Sequence, residues 1–202
     1  MSTTRSAGRS EGKSEGKSEG RSDGKSGGDD GARPVSPARK YVLFGIFAAI
    51  SIGFDQWTKA LARSELRPRG PFDPKMVIDG FFKLRYSENP GVAFGMLQQM
   101  SGGRLVLTLM AIGAFALVLY YLRKTDDGAT RLQVALGLVG GGAIGNLIDR
   151  VAYGRVTDFI VWYVKDHEWP AFNIADAALC IGVALMVIDM LKSRPAATTS
   201  TS

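Results

Sequence analysis

Four apolar stretches, at about Tyr41 to Leu61, Arg104 to Leu122, Leu132 to Val151 and Ile174 to Leu191, limit what this chain can fold into more than any other feature. Each is close to the roughly 20 residues that a helix needs to cross a bilayer. In lipid a spanning segment must satisfy its own backbone polar groups, which favours helices. The second stretch has no charge between Arg104 and Arg123, whereas the other three carry polar residues chiefly toward one end. Four spans place both termini on one side. The chain is therefore expected to be an all-α polytopic membrane protein.

The remainder is of two kinds. Residues 1–39 repeat small, acidic and basic residues in a four-residue beat, as in Ser10-Glu-Gly-Lys13 and Ser14-Glu-Gly-Lys17, and hold too little apolar surface to bury a core. They are expected to be a disordered cytoplasmic tail, followed by a membrane domain at 40–192 and a short disordered cytoplasmic end at 193–202. Counted through Lys40, the tail holds nine Lys/Arg against six Asp/Glu, half of the formal excess of +6. That excess is then no sign of nucleic-acid binding.

Basic residues set the orientation. Arg33, Arg39 and Lys40 precede the first span, Arg123, Lys124 and Arg131 flank the second connection, and Lys192 and Arg194 follow the last. These sites should face the cytoplasm. The loop from Ala62 to Gly103 works against this orientation, with Arg63, Arg67, Arg69, Lys75, Lys83 and Arg85. A cleavable signal peptide ending near Ala60-Leu61-Ala62 competes with the first span. Cleavage would discard Asp55 and Lys59, an i,i+4 pair on one helix face, so the span is read as retained.

Sorted by side, the polar residues of the apolar region gather at one edge. Asp55 and Lys59 end the first span, Asn89 lies in the loop after it, and Asn146, Asp149 and Arg150 end the third. Asp158 lies in the next loop, and Asn173 and Asp176 open the fourth span. Gly140, Gly141, Gly142 and Gly145 leave room for a neighbouring helix to approach. The segment from Met76 to Tyr86, β-branched and aromatic around Gly80, suggests a small sheet lying on the membrane, and Trp162 to Trp169 adds interfacial aromatics.

Ionisable groups at the edge of lipid are costly and usually functional. Asp158 and Asp176 lie eighteen positions apart. A chain that leaves the membrane and re-enters it can bring them together, which points to acid/base chemistry. Other chemistries lack residues: a single His167, in a polar loop, and a single Cys180, in an apolar span, cannot supply a zinc site.

Five blocks carry a resemblance: Asp55-Gln-Trp-Thr-Lys59, Asn89-Pro-Gly-Val-Ala-Phe-Gly95, Gly145-Asn-Leu-Ile-Asp-Arg150, Val156-Thr-Asp-Phe159 and Phe172-Asn-Ile-Ala-Asp176. In order and spacing they resemble the motifs of the bacterial lipoprotein signal peptidases, or signal peptidase II. The resemblance covers residues 41–191 and leaves out the tail. It implies an inner-membrane aspartic endopeptidase that cleaves diacylglyceryl-modified prolipoproteins just before the lipidated cysteine, without a cofactor or metal. It also implies four transmembrane helices, a small periplasmic β-cradle and a short periplasmic helix or loop.

Carried over residue by residue, the catalytic pair falls on Asp158 and Asp176. The surrounding polar set falls on Asp55, Lys59, Asn89, Asn146, Asp149, Arg150 and Asn173. Two close carboxylates resist double ionisation, so one would keep a proton while the other takes one from water. Asp55 and Lys59 would brace the first helix. Blander readings make Asp158 and Asp176 interfacial caps, with Asp176 near a helix N-terminus, Asp149 and Arg150 a structural ion pair, and Lys59 a snorkelling side chain. The expected partners are prolipoprotein substrates and membrane lipid, with the chain acting as a monomer. A small proton-coupled transporter is the alternative of another class, although transporter sites tend to lie near the bilayer midplane.

Overall fold

The computed structural model describes residues 38–90 and 103–192. Four helices stand where the apolar stretches predict them: α1 (Ala38–Leu61), α2 (Gly103–Lys124), α3 (Thr130–Tyr153) and α4 (Ile174–Lys192). All four are long and apolar enough to cross a membrane. The expected tail lies outside the described residues, except Ala38 and Arg39, which already belong to α1; residues 91–95 of the Asn89 block and 193–202 lie outside as well.

Helix α3 is central and packs against each of the other three. Its glycines allow this. A Cβ at Gly141 would lie 2.8 Å from the Ala48 carbonyl oxygen of α1, and one at Gly142 would lie 2.5 Å from the Ala175 carbonyl oxygen of α4. Both faces of α3 are thus in near-backbone contact, as small residues permit between membrane helices. Helix α2 closes on α3 through Val118, Leu122 and Leu136. Ile46, Ile50, Leu109, Met110, Val183 and Val187 point outward, an apolar surface suited to lipid and not to water.

At one end of the bundle the start of α1 is tied to the α2–α3 connection. Lys40 Nζ donates to the Thr125 carbonyl at 3.0 Å and faces Asp127 at 3.2 Å. At the other end α1 does not stop at Leu61. It runs on as a π-helical turn, Ala62–Leu66, and a 3₁₀ turn, Arg67–Arg69, ending at Gly70 with φ +79°. This continuation is the short helical piece at that end of the described residues.

The same end carries a four-stranded antiparallel sheet in the order β1 (Lys75–Ile78), β2 (Phe82–Asn89), β3 (Val156–Val164) and β4 (His167–Glu168). Gly80, at φ +78°, lies in the three-residue β1–β2 connection and supplies its left-handed residue. Two expectations change here. Asp158 lies on β3 and not in a loop, and His167 lies on the short strand β4. Side chains alternate along β3, so Thr157 and Phe159 face away from the side that Asp158 faces. Phe159 packs with Ala62 and Leu66, which puts the continuation of α1 behind the sheet.

Candidate active site

The eighteen-residue gap between the aspartates is closed by a strand that goes out and a segment that comes back. Helix α3 ends at Gly154, whose φ of +74° is the left-handed cap that suits glycine, and its N–H bonds the Arg150 carbonyl at 3.1 Å. The chain turns into β3, reverses at Lys165, and returns so that Phe172 pairs with Ile160 through bonds of 2.9 and 3.1 Å. That pairing sets Asn173 beside Asp158.

Asp176 is held by a reciprocal cap. Its N–H donates to Asn173 Oδ1 at 3.0 Å, and the Asn173 N–H donates to Asp176 Oδ2 at 3.2 Å. This is the geometry of a capping box with Asp in the place usual for Glu. The other carboxylate oxygen, Oδ1, accepts from Asn146 Nδ2 at 2.8 Å. Capping and site membership therefore coincide in this residue.

Asp158 is buried, and both of its oxygens accept: Oδ1 from Asn173 Nδ2 at 2.6 Å and Oδ2 from Asn89 Nδ2 at 3.1 Å. Asn89 reaches it from β2, where the register slips between Leu84 and Ser87 so that Ser87 stands opposite Asp158. Bulges of this kind commonly re-aim side chains beside sites. Asn173 thus touches both aspartates.

Beneath them lies a buried ionic network. Lys59 Nζ donates to Asn146 Oδ1 at 2.9 Å and faces Asp55 at 2.9 Å and Asp149 at 3.5 Å, all with no exposed side-chain surface in the three charged groups. Because Asn146 Oδ1 accepts from Lys59, its amide nitrogen must turn toward Asp176. Asp55 Oδ1 in turn accepts from the Ala175 N–H at 2.9 Å, one of the N–H groups that the start of α4 leaves without a partner in its own helix. Asp149 Oδ2 accepts from the Thr157 N–H at 2.9 Å, which pins β3 one residue before Asp158. Gly145 makes room, since a Cβ there would lie 2.6 Å from Asp55 Oδ2.

Two of the blander readings fail against this geometry. Lys59 does not snorkel, and Asp149 pairs with Lys59 and Arg63, not with Arg150. Arg150 donates to the Asn146 carbonyl at 3.2 Å, and its buried Nε has no partner among the described residues. Two members of the network, Gln56 and Arg63, are not among the site residues expected from the sequence. Gln56 Nε2 bonds Asp55, the Gly145 carbonyl and Asp149, and Arg63 donates to Thr157 Oγ1 at 2.9 Å. The signal for Arg63 was its place four residues past Lys59, on the stripe begun at Asp55.

Burial pushes the Asp158 carboxyl up to about 7, and the charge of Asp176 adds to the rise, against the opposing pull of Asn89, Asn173 and Lys59. A carboxyl that holds its proton near neutrality beside a second carboxylate is the electrostatic form of an acid/base pair.

The family model described as signal peptidase (SPase) II matches residues 47–192. A lipoprotein signal peptidase of Xanthomonas campestris pv. campestris is 42% identical over 79% of this chain and 97% of its own length. That of Symbiobacterium thermophilum is 41% identical over 72% of this chain and 92% of its own. Two solved structures, each described as a bacterial membrane enzyme, are 32% and 34% identical and superpose with a TM-score of 0.66, covering 78% and 74% of this chain and 92% of each.

Proposed function

This chain belongs to the signal peptidase II family and cleaves signal peptides from prolipoproteins, and from that premise we propose that it does so as an aspartic peptidase with Asp158 and Asp176 as its catalytic pair. Asp158 carries the proton and Asp176 is the base. Asp176 takes a proton from water as the water oxygen attacks the scissile carbonyl. Asp158 hydrogen-bonds the carbonyl oxygen, and as the C–N bond breaks a proton passes to the leaving amine. Asn89, Asn146 and Asn173 hold the two carboxylates, and Arg150, with its spare buried N–H, orients the substrate backbone. Asp55, Lys59 and Asp149 are positioning residues that fix Asn146, α4 and β3.

The single observation behind this reading is the Asn173 amide and backbone, which link both carboxylates while burial holds Asp158 protonated near neutral pH. The substrate is a diacylglyceryl-modified prolipoprotein cut before its lipidated cysteine, as the resemblance implies. The site faces the periplasm, with both termini cytoplasmic. Five of the basic residues that oppose this topology, Arg63, Arg67, Arg69, Lys83 and Arg85, face acidic groups at the site end. The transporter reading has no support in a polar cluster confined to one end of the bundle.

The test is the pH profile of kcat/KM for a lipid-modified precursor. Asp158 is protonated below about 7 and loses its proton as pH rises through that value. The rate should therefore fall above about 7, approaching tenfold per pH unit. Stability should fall in the same direction between the unfolded value of 3.8 and about 7, because the folded chain there holds a proton that the unfolded chain releases. A rate that stays flat or climbs through the alkaline range would rule Asp158 out as the acid.

A further inference from the structure

Behind the sheet, on the face turned away from Asp158, three arginines meet at a recess of about 170 Å³. Arg63 and Arg67 reach it from the π-helical and 3₁₀ continuation of α1, and Arg155 reaches it from the turn that follows α3. Two of the guanidinium groups lie over tyrosine rings, Arg63 over Tyr153 at 4.4 Å and Arg67 over Tyr86 at 5.9 Å. A guanidinium held over an aromatic face by cation–π attraction still has N–H groups to offer a phosphate.

Charge does not balance within the recess. Asp55 and Asp149 are offset by Lys59 and Arg63 in the network described above. Among the residues that line the recess, Arg67 and Arg155 then stand against Glu88. One positive charge is left over, and a phosphodiester brings one negative charge.

The second observation lies on the neighbouring stripe of the same helical turns. Ala62, Leu66, Leu84 and Phe159 line a mainly apolar slot of about 290 Å³ whose wall also carries Glu65 and Lys75, one charge of each sign. An arginine recess and an apolar slot therefore share one segment, at the level where α1 leaves its apolar span. At that level a bilayer places headgroup phosphates above acyl chains. We propose that the back of the sheet binds an anionic phospholipid, its phosphodiester on Arg63, Arg67 and Arg155 and an acyl chain in the slot. This lipid is distinct from the substrate, and it seats the reverse face of the strand whose other face carries Asp158.

The test is a binding measurement that does not depend on the peptidase reading. The full-length protein in detergent is titrated with dioleoylphosphatidylglycerol, dioleoylphosphatidylcholine or inorganic phosphate, and thermal stabilisation is followed. Arg67 and Arg155 are 64% and 54% exposed, so the double variant Arg67→Gln/Arg155→Gln should fold. Wild type should prefer phosphatidylglycerol over phosphatidylcholine by roughly fivefold or more, and the variant should lose that preference. Phosphate alone at matched concentration should not displace the lipid. Equal affinity for the two lipids, a preference unchanged in the variant, or displacement by phosphate alone would each overturn the proposal.

Discussion

Asp158→Asn and Asp176→Asn are each expected to lower turnover of a lipid-modified precursor by roughly 10² to 10⁴ while leaving the folded protein intact, because a general acid or base contributes about that much. The substitutions are nearly isosteric, and the surroundings tolerate them. An amide at 176 still offers one oxygen to the Asn173 N–H, and an amide at 158 still accepts from Asn173 or Asn89. Loss of rate with retained melting temperature therefore separates the proposed chemistry of Asp176 from its capping. A purified, folded variant of either residue that kept more than about a tenth of wild-type turnover would remove that residue from the pair.

Lys59→Met is expected to produce the largest loss of stability. Its ammonium sits between Asp55 and Asp149, and all three side chains have no exposed surface. Removing the cation leaves buried Asp55 without its cation and buried Asp149 with Arg63 at 3.5 Å, and breaking a buried pair in this way costs about 3–5 kcal/mol. In a domain of this size that corresponds to a fall of roughly ten degrees in melting temperature. Asn146 also loses the bond that turns its amide toward Asp176, so turnover below the melting range should fall as well. Adding Asp55→Asn to Lys59→Met should recover part of the stability, since it discharges one of the stranded acids. Thermal unfolding in detergent is the measurement, and a Lys59→Met protein that melts within a degree or two of wild type would show that the network is not structural.

The helices were legible because lipid allows few alternatives: runs of about 20 apolar residues read as spans whatever their neighbours do. Strand β3 was harder to see. The first four of its residues are all buried, so the apolar alternation that marks a half-exposed strand is missing at Val156, Thr157, Asp158 and Phe159. The site residues were legible from their types and the end of the span on which each falls, but their pairings were not. Asp149 and Arg150 are sequence neighbours, yet adjacent positions on a helix do not face one another, and the partner of Asp149 comes from α1. Arg63 was missed because the apolar stretch ends at Leu61 while the helical path continues through a π turn. For Asp176 the sequence allows either a cap or a catalytic group, and the capping box with Asn173 leaves the second carboxylate oxygen on Asn146, so the cap does not exclude the proposed role.

The most direct test is to incubate the purified wild-type chain and the Asp158→Asn/Asp176→Asn double variant, in lipid, with one precursor in its diacylglyceryl-modified and unmodified forms, and to identify the products by mass spectrometry. Wild type should release the intact signal peptide and leave a mature protein that begins at the lipidated cysteine. The double variant should leave the precursor whole. Cleavage by the double variant at a rate close to wild type, or cleavage of the unmodified precursor as readily as the modified one, would contradict the account.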